Sequence, residues 1–120
     1  MATQDTSCTI VPHFMVHQGE LDTFKALCEQ FVIATKQDPK CLYYGFSFNG
    51  NEVYCRESYQ NAEALLEHIE NVGALIDQSL ALVELIGLEV HGIETELAKL
   101  RAPLAGLNPQ YYVLEYGFRR

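Results

Sequence analysis

The pattern of apolar residues along the chain switches between the period of a strand and the period of a helix. Cys8–His17 is rich in β-branched and aromatic residues and predicts a first strand, with an edge-like or bulged stretch at Pro12, which cannot donate to a ladder. After Gly19, apolar residues at three- and four-residue steps predict a helix that ends at Asp38-Pro39. Those residues are Leu21, Phe24, Leu27, Cys28, Phe31 and Ala34.

The next segment predicts a β-hairpin. Lys40–Phe48 and Glu52–Ser58 have strand patterns, and the turn Asn49-Gly50-Asn51 separates them. Asn-Gly is a strong hairpin signal because both residues tolerate a positive φ angle. We therefore expect the two strands to pair antiparallel.

Two helical segments and a fourth strand follow. Asn61 is a suitable N-cap for the second helix, and Gly73 predicts a break before a further helical piece at Ala74–Leu82. Leu85–Ile93 then reads as a strand. Strict alternation places Ile86, Leu88 and Val90 on one face and Gly87, Glu89 and His91 on the other.

The last part of the chain predicts an extension of this unit. Glu94–Arg101 is a short helix stopped by Ala102-Pro103, and Tyr111–Phe118 is a last strand. The order β-α-β-β-α-β predicts an α+β, ferredoxin-like fold with an antiparallel sheet. We divide the chain into a loose terminus at 1–7 and a single domain at 8–120, with a core at 8–93 and a helix-and-strand extension at 94–120.

The predicted strands carry more apolar surface than two helices can cover. The first strand has Ile10, Phe14 and Val16 on one face, while Val11 and Met15 lie on the other. Large exposed apolar surfaces mark interfaces or ligand sites. We therefore predict a homodimer, with two sheets packed face to face as a closed barrel, in which the last strand could lie along the partner's sheet edge.

The amino-acid composition and the net charge argue against some classes of binding partner. The chain has 120 residues, 48% of them hydrophobic, and a formal net charge of −8. An acidic surface without a basic stripe argues against nucleic acid and against an anionic membrane. The most apolar stretch, 73–90, is interrupted by acidic and amide residues, and no signal peptide is visible. The expected location is the cytoplasm.

The sequence has no pattern typical of a metal or nucleotide site. Its four cysteines, Cys8, Cys28, Cys41 and Cys55, include no Cys-x-x-Cys pair and are expected to be small buried hydrophobic residues. A phosphate-binding glycine loop and a Gly-x-Ser-x-Gly elbow are both missing from the sequence. His68 or His91 could serve as a haem ligand, but no spacing demands one. We predict no cofactor.

The segment from Glu57 to His68 carries a family resemblance. It resembles a motif of the antibiotic-biosynthesis-monooxygenase-like domains of the dimeric α+β barrel superfamily: a strand ending in Glu, an aromatic residue two positions on, then a helix with His. Glu57, Tyr59 and His68 match those positions, and 40–44 is similar to the family's second strand. The resemblance covers roughly residues 8–93, and the tail beyond Glu94 is longer than the usual family end.

The resemblance implies a small-molecule pocket but no single reaction. Some family members oxidise quinols or polyketide aromatics without metal or flavin, whereas others degrade haem, isomerise small molecules or have no known activity. The candidate catalytic residues are His68, Glu57 and His13, because a histidine and a buried carboxyl can exchange protons with a substrate. The candidate substrate-binding residues are Tyr43, Phe46, Tyr54, Met15, His91 and Glu89.

Three functions stay open at this point. The first is a cofactor-independent monooxygenase acting on a small aromatic or quinol-type molecule, in which His68 takes a proton, helped by Glu57 or His13, and the anion reacts with oxygen. The second is a non-catalytic binding or assembly module whose barrel interior is filled by Tyr43, Phe46 and Met15. The third is an isomerase or lyase that uses the same acid–base pair without oxygen.

Overall fold

A computed structural model describes residues 2–120, so residue 1 of the predicted loose terminus lies outside the described residues. The elements run β1 (Cys8–Val16), α1 (Leu21–Lys36), β2 (Cys41–Asn49), β3 (Glu52–Tyr59), α2 (Ala62–Asn71), α3 (Gly73–Leu80), β4 (Val83–Gly92), α4 (Glu94–Leu100) and β5 (Gln110–Val113). The predicted β-α-β-β-α-β order is confirmed. Gly50 has a positive φ of 61° in the β2–β3 turn, and the Asn61 side chain accepts a hydrogen bond from the Ala64 amide as the α2 N-cap.

The five strands form one sheet in the order β2-β3-β1-β4-β5. The four strands of the ferredoxin-like core are antiparallel, as predicted, and the added strand β5 pairs with β4 in parallel, so the whole sheet is mixed. The last strand is also shorter than predicted, since it ends at Val113. It lies along the edge strand of its own chain, which the sequence pattern could not distinguish from a partner's edge.

An irregularity in β1 changes which residues face each side of the sheet. The register between β1 and β4 shifts between His13 and Phe14, one residue after Pro12. Of the two alternatives predicted at Pro12, edge-like or bulged, the strand has the bulge, and a bulge lets a central strand such as β1 tolerate a proline. Across the bulge Ile86 has no paired partner and is 45% exposed, so its predicted place beside Leu88 is wrong.

The helices pack on one face of the sheet, which we call the helix face. One buried cluster joins Cys8 and Val90 to α2 and α4, and two more join α1 and α3 to β2 and β3. In α1 the buried stripe ends on Thr35, while Ala34 is exposed, which corrects the predicted stripe by one position. In α4, Leu97 and Leu100 are fully buried, so the extension completes the core.

The opposite side of the sheet, which we call the open face, has no helix over it among residues 2–120. It carries large apolar side chains that are 39–49% exposed: Met15, Tyr43, Tyr54, Ile86 and Tyr112. The two terminal segments contact each other: the Thr3 amide donates to the Glu115 carbonyl, and Arg119 pairs with Asp5 at 3.1 Å. No described helix has the length and apolar character needed to cross a membrane.

Candidate functional site

A buried carboxyl group lies at the centre of the helix face. Glu57 is 6% exposed, and its neighbours two positions away along β3, Cys55 and Tyr59, point to the same side because side chains alternate along a strand. The Tyr59 hydroxyl donates to Glu57 Oε1 at 2.5 Å, and the Cys55 thiol lies 3.0 Å from Glu57 Oε2 and donates to it. Both carboxyl oxygens are therefore held in place by β3 itself.

The surroundings of Glu57 favour its protonated form. Burial raises the pKa of Glu57 from 4.5 to about 7, although the hydrogen bonds from Tyr59 and Cys55 lower it. None of the described lysine or arginine side chains forms an ion pair with it. At neutral pH this carboxyl group can therefore either give or take a proton, which is the property of a general acid or base.

His68 stands between Glu57 and the outside of the helix layer. Its Nε2 atom is 3.5 Å from Glu57 Oε1, and the residue is 5% exposed. Burial lowers the pKa of His68 from 6.5 to about 4, while the nearby Asp38 carboxylate raises it. The imidazole is consequently neutral at physiological pH, and Tyr59 and Tyr44 flank its ring with centroids at 4.8 and 5.4 Å.

The aromatic and thiol groups around this pair hold their protons. Burial, followed by the proximity of Glu57, raises the pKa of Tyr59, Tyr44 and Cys55 far above their ordinary values. Burial likewise raises the pKa of Cys41 to about 11. These side chains are hydrogen-bonding groups near neutral pH, which leaves Glu57 and His68 as the pair able to exchange protons there.

A cleft of about 500 Å³ reaches His68 from solvent. We call it the α1–α2 cleft; it is lined by Ala34, Thr35, Gln37, Asp38, Pro39, Lys40, Glu67, His68, Asn71 and Val72. Lys40 and Glu67 form an ion pair at 3.0 Å, with both side chains about half exposed. His68 is the one residue common to this cleft and the buried carboxyl cluster.

The open face gathers a different set of the predicted residues. His13 Nε2 lies 2.7 Å from Glu52 Oε1, and the His13 ring stacks on Tyr54 with centroids 3.9 Å apart. His91 Nε2 lies 3.0 Å from Glu89 Oε1 and its ring stacks on Tyr112. A pocket of about 380 Å³ is lined by Val11, His13, Tyr54, Ile86, Gly87, Leu88, Glu89, Asn108 and Gln110.

The sheet thus divides the predicted site residues into two groups. Glu57, His68 and Phe46 lie on the helix face; Phe46 packs with Phe24 and Phe31. The other predicted residues lie on the open face, so His13 is not part of the Glu57–His68 pair. They are His13, Met15, Tyr43, Tyr54, Glu89 and His91.

Several residues of the helix-face site were not predicted as site residues, although Tyr59 lies within the family motif. Cys55 and Tyr59 share the face of Glu57, and the two-residue period of a strand was the signal for them. Thr35 was signalled by its place four residues after Phe31 in the apolar stripe of α1. Asp38 had no signal, because it lies in the turn after the helix, where acidic residues are common. Among residues 2–120 no group of His, Cys, Asp and Glu side chains has the geometry to hold a metal ion.

The chain matches no protein-family model and no curated protein. Among solved structures it is similar to MupZ from Pseudomonas fluorescens, with 44% identity, a TM-score of 0.91, and coverage of 95% of this chain and 94% of that one. The identity is well above the level at which only a fold is shared.

More distant structures share the fold alone. Rv0793 from Mycobacterium tuberculosis is 21% identical, with a TM-score of 0.63 over 70% of this chain and 91% of its own. A protein named antibiotic biosynthesis monooxygenase is 19% identical, with a TM-score of 0.61 over 69% of this chain and 92% of its own.

Proposed function

Since this chain belongs to the same family as MupZ and has the antibiotic-biosynthesis-monooxygenase-like fold, we infer that it is an enzyme that moves protons on a small molecule bound in the α1–α2 cleft. One observation carries the proposal. The Glu57 carboxyl is buried, has a pKa of about 7, and is 3.5 Å from a neutral histidine that lines the cleft. A purely structural carboxyl at this depth would be expected to have a cationic partner.

The two residues act as a relay. Nε2 of His68 faces Glu57, which leaves Nδ1 to exchange a proton with the bound molecule. Because burial makes the imidazolium unfavourable, His68 alone is a weak base. Glu57 makes His68 a more effective base: as Nδ1 accepts the substrate proton, Nε2 releases its own proton to the Glu57 carboxylate, so that no imidazolium remains. The 3.5 Å separation is one that catalytic groups commonly show before substrate tightens them.

In the first version of this chemistry, the protein is a cofactor-independent monooxygenase. Proton removal from an aromatic or quinol-type molecule gives an electron-rich anion that reacts directly with oxygen. The name of one of the fold relatives supports this version.

In the second version, the same pair catalyses an isomerase or lyase reaction. A carboxyl group with a pKa near neutrality can return the proton that it has taken, and returning a proton to a new position is what isomerisation requires. No oxygen is consumed in this version, so turnover under nitrogen distinguishes the two.

The experiment is turnover of a panel of quinols and small hydroxylated metabolites, under air and under nitrogen, by the wild type and two variants. We expect His68→Ala and Glu57→Gln each to lower kcat by about 10²–10⁴-fold, the usual contribution of a general acid or base. His17→Gln, on an exposed residue after β1, is the matched control and should keep full activity. Unchanged turnover in both variants would remove the proposed roles, and a complete lack of turnover by the wild type would favour the non-catalytic binding module.

The open face would pair with a second copy of the chain. Its large apolar side chains are 39–49% exposed, and a two-fold contact would cover them while enclosing the pocket beside His13 and Tyr54. In this arrangement the helix-face site of each protomer stays separate from the interface. In this proposal the second copy of the chain binds the open face, and the proton-transfer site lies on the helix face.

A further inference from the structure

Two buried oxygen atoms at the end of α1 have no hydrogen-bond partner within residues 2–120. They are Thr35 Oγ1 and Asp38 Oδ2. Thr35 is only 3% exposed, and both residues line the α1–α2 cleft. The Tyr44 hydroxyl is close enough to Thr35 to affect the pKa of Tyr44, but Thr35 Oγ1 still lacks a bond of acceptable geometry. Buried polar atoms are nearly always paired, so two together indicate a missing partner.

The backbone holds these two residues in one turn. The Asp38 amide donates to the Thr35 carbonyl at 2.9 Å, directly after the last turn of α1. The other Asp38 oxygen, Oδ1, accepts from the Lys40 amide at 2.9 Å, which fixes the carboxylate and leaves Oδ2 for the cleft. The backbone of this turn and the Asp38 carboxylate are therefore held in place before anything binds, which suits a recognition site.

The chemistry of the two atoms selects the group that would fill the site. An ionised carboxylate only accepts hydrogen bonds, whereas a threonine hydroxyl can also donate. A hydroxyl group on the bound molecule satisfies both, because it can donate to Asp38 Oδ2 while accepting from Thr35 Oγ1. An ether oxygen cannot donate, and an anion would meet the Asp38 and Glu67 carboxylates, since the Lys40 ammonium is already paired.

We propose that Thr35 and Asp38 bind a hydroxyl group of the substrate and are specificity-determining residues of the α1–α2 cleft. The proposal rests on the proposed function in one respect: the same molecule presents its reacting end to His68 while its hydroxyl is held at the end of α1. The substrate class is then a neutral molecule with at least one free hydroxyl besides the reacting group.

The proposed hydroxyl site is tested by titrating the full chain with simple diols and monitoring binding through the amide signals in NMR spectra. The probes are hydroquinone and 1,4-butanediol, with 1,4-dimethoxybenzene and 1,4-dimethoxybutane as ether controls. We expect the diols to shift the amide signals of Thr35, Asp38 and His68, and the ethers to shift them at least fivefold less at equal concentration. Thr35→Val and Asp38→Asn should each weaken diol binding at least fivefold, while Thr23→Val, on the exposed side of α1, should leave it unchanged.

Two results would overturn the proposal. One is equal binding of diols and ethers, and the other is unchanged diol affinity in both Thr35→Val and Asp38→Asn when their spectra show a folded chain. The absence of any diol-dependent shift at millimolar concentration would also overturn the proposal, because diols would then bind no better than ethers. Failure of the proposed function looks different: diol binding would persist in the wild type and in Glu57→Gln, while neither Glu57 nor His68 affected turnover.

Discussion

Glu57 is an acidic side chain placed where water cannot stabilise its charge. Its two hydrogen bonds, from Tyr59 and Cys55, offset only part of that loss, so its pKa settles near neutrality. His68 responds to the same environment in the opposite direction, because burial penalises its charged form as well. At pH 7 Glu57 is therefore ionised in about half of the molecules, while His68 is neutral. When Glu57 is ionised, a proton that enters at His68 can pass to the carboxylate without leaving a buried imidazolium beside it.

These opposite shifts make stability depend on pH with opposite signs. Glu57 holds its proton more tightly in the folded chain, so its stabilising contribution is complete below about pH 4.5 and is lost as the pH rises towards about 7. His68 holds its proton less tightly when folded, so its contribution is complete above about pH 6.5 and is lost as the pH falls towards about 4. Between these limits the two effects oppose each other in the wild type.

Removing either residue should expose the effect of the other. From about pH 4.5 to 6.5, the free energy of unfolding of His68→Gln should fall with rising pH relative to the wild type, and that of Glu57→Gln should rise, each by up to about 1.4 kcal/mol per pH unit for one proton. Urea denaturation at several pH values measures both slopes. Relative slopes of the same sign in the two variants would contradict the assigned pKa shifts.

For single residues, the sequence predicted those site residues that its strand and helix periods or the family motif indicate. The two-residue period of β3 and the family motif identified Glu57 and His68 as candidates, and the fold brings them to 3.5 Å. Nothing in the sequence separated His13 from them, because the side of a sheet on which a helix packs depends on tertiary structure. The unpaired oxygens of Thr35 and Asp38 could not be foreseen, since pairing is known only when all neighbours are placed.

At the scale of elements, alternation predicted the strands well and failed where the backbone is irregular. The bulge after His13 moved Ile86 to the open face, and no alternation rule can include a residue that has no cross-strand partner. The last strand was predicted too long because 114–118 contains aromatic residues of strand type. That segment instead runs beyond the end of β4, the strand with which β5 pairs, so this ladder does not continue.

The short helix α4 belongs to the core that supports the site. Leu97 is fully buried in the cluster that contains Tyr59 and Leu65, close to the carboxyl cluster. We expect Leu97→Ala to lower the free energy of unfolding by about 2–5 kcal/mol, the usual effect of a large-to-small change in a core. Leu107→Ala, on a residue that is 49% exposed, is the matched control. If chemical denaturation showed the same decrease in the free energy of unfolding for both variants, α4 would not be part of the stabilising core.

At the scale of the whole molecule, the sheet separates two tasks. The helix face holds the carboxyl, the histidine and the cleft, and the open face presents apolar rings with no covering helix among the described residues. The sequence predicted the surplus of apolar strand surface, because both faces of the first two strands are apolar. Which residues form the uncovered side depended on the bulge and on the packing of all four helices.

The proposed pairing of open faces predicts how the oligomeric state responds to charge. A buried glutamate without a partner is unfavourable, so Ile86→Glu should shift the chain from dimer to monomer in light scattering. Ile33→Glu, on the outer surface of α1 and 66% exposed in the wild type, should leave the dimer intact. A wild type that is monomeric at high concentration, or an Ile86→Glu variant that stays dimeric, would contradict the pairing.

The fold makes Glu57 a group that exchanges protons at neutral pH, and the relay depends on this property. Its most direct test is a pH titration of the side-chain carboxyl carbon of Glu57 by ¹³C NMR, assigned by comparison with Glu57→Gln. The structure predicts a midpoint of about 7. A midpoint at or below about 4.5 would mean that Glu57 is an ordinary carboxylate at neutral pH, too weak a base to hold the proton that the proposed relay passes to it from His68.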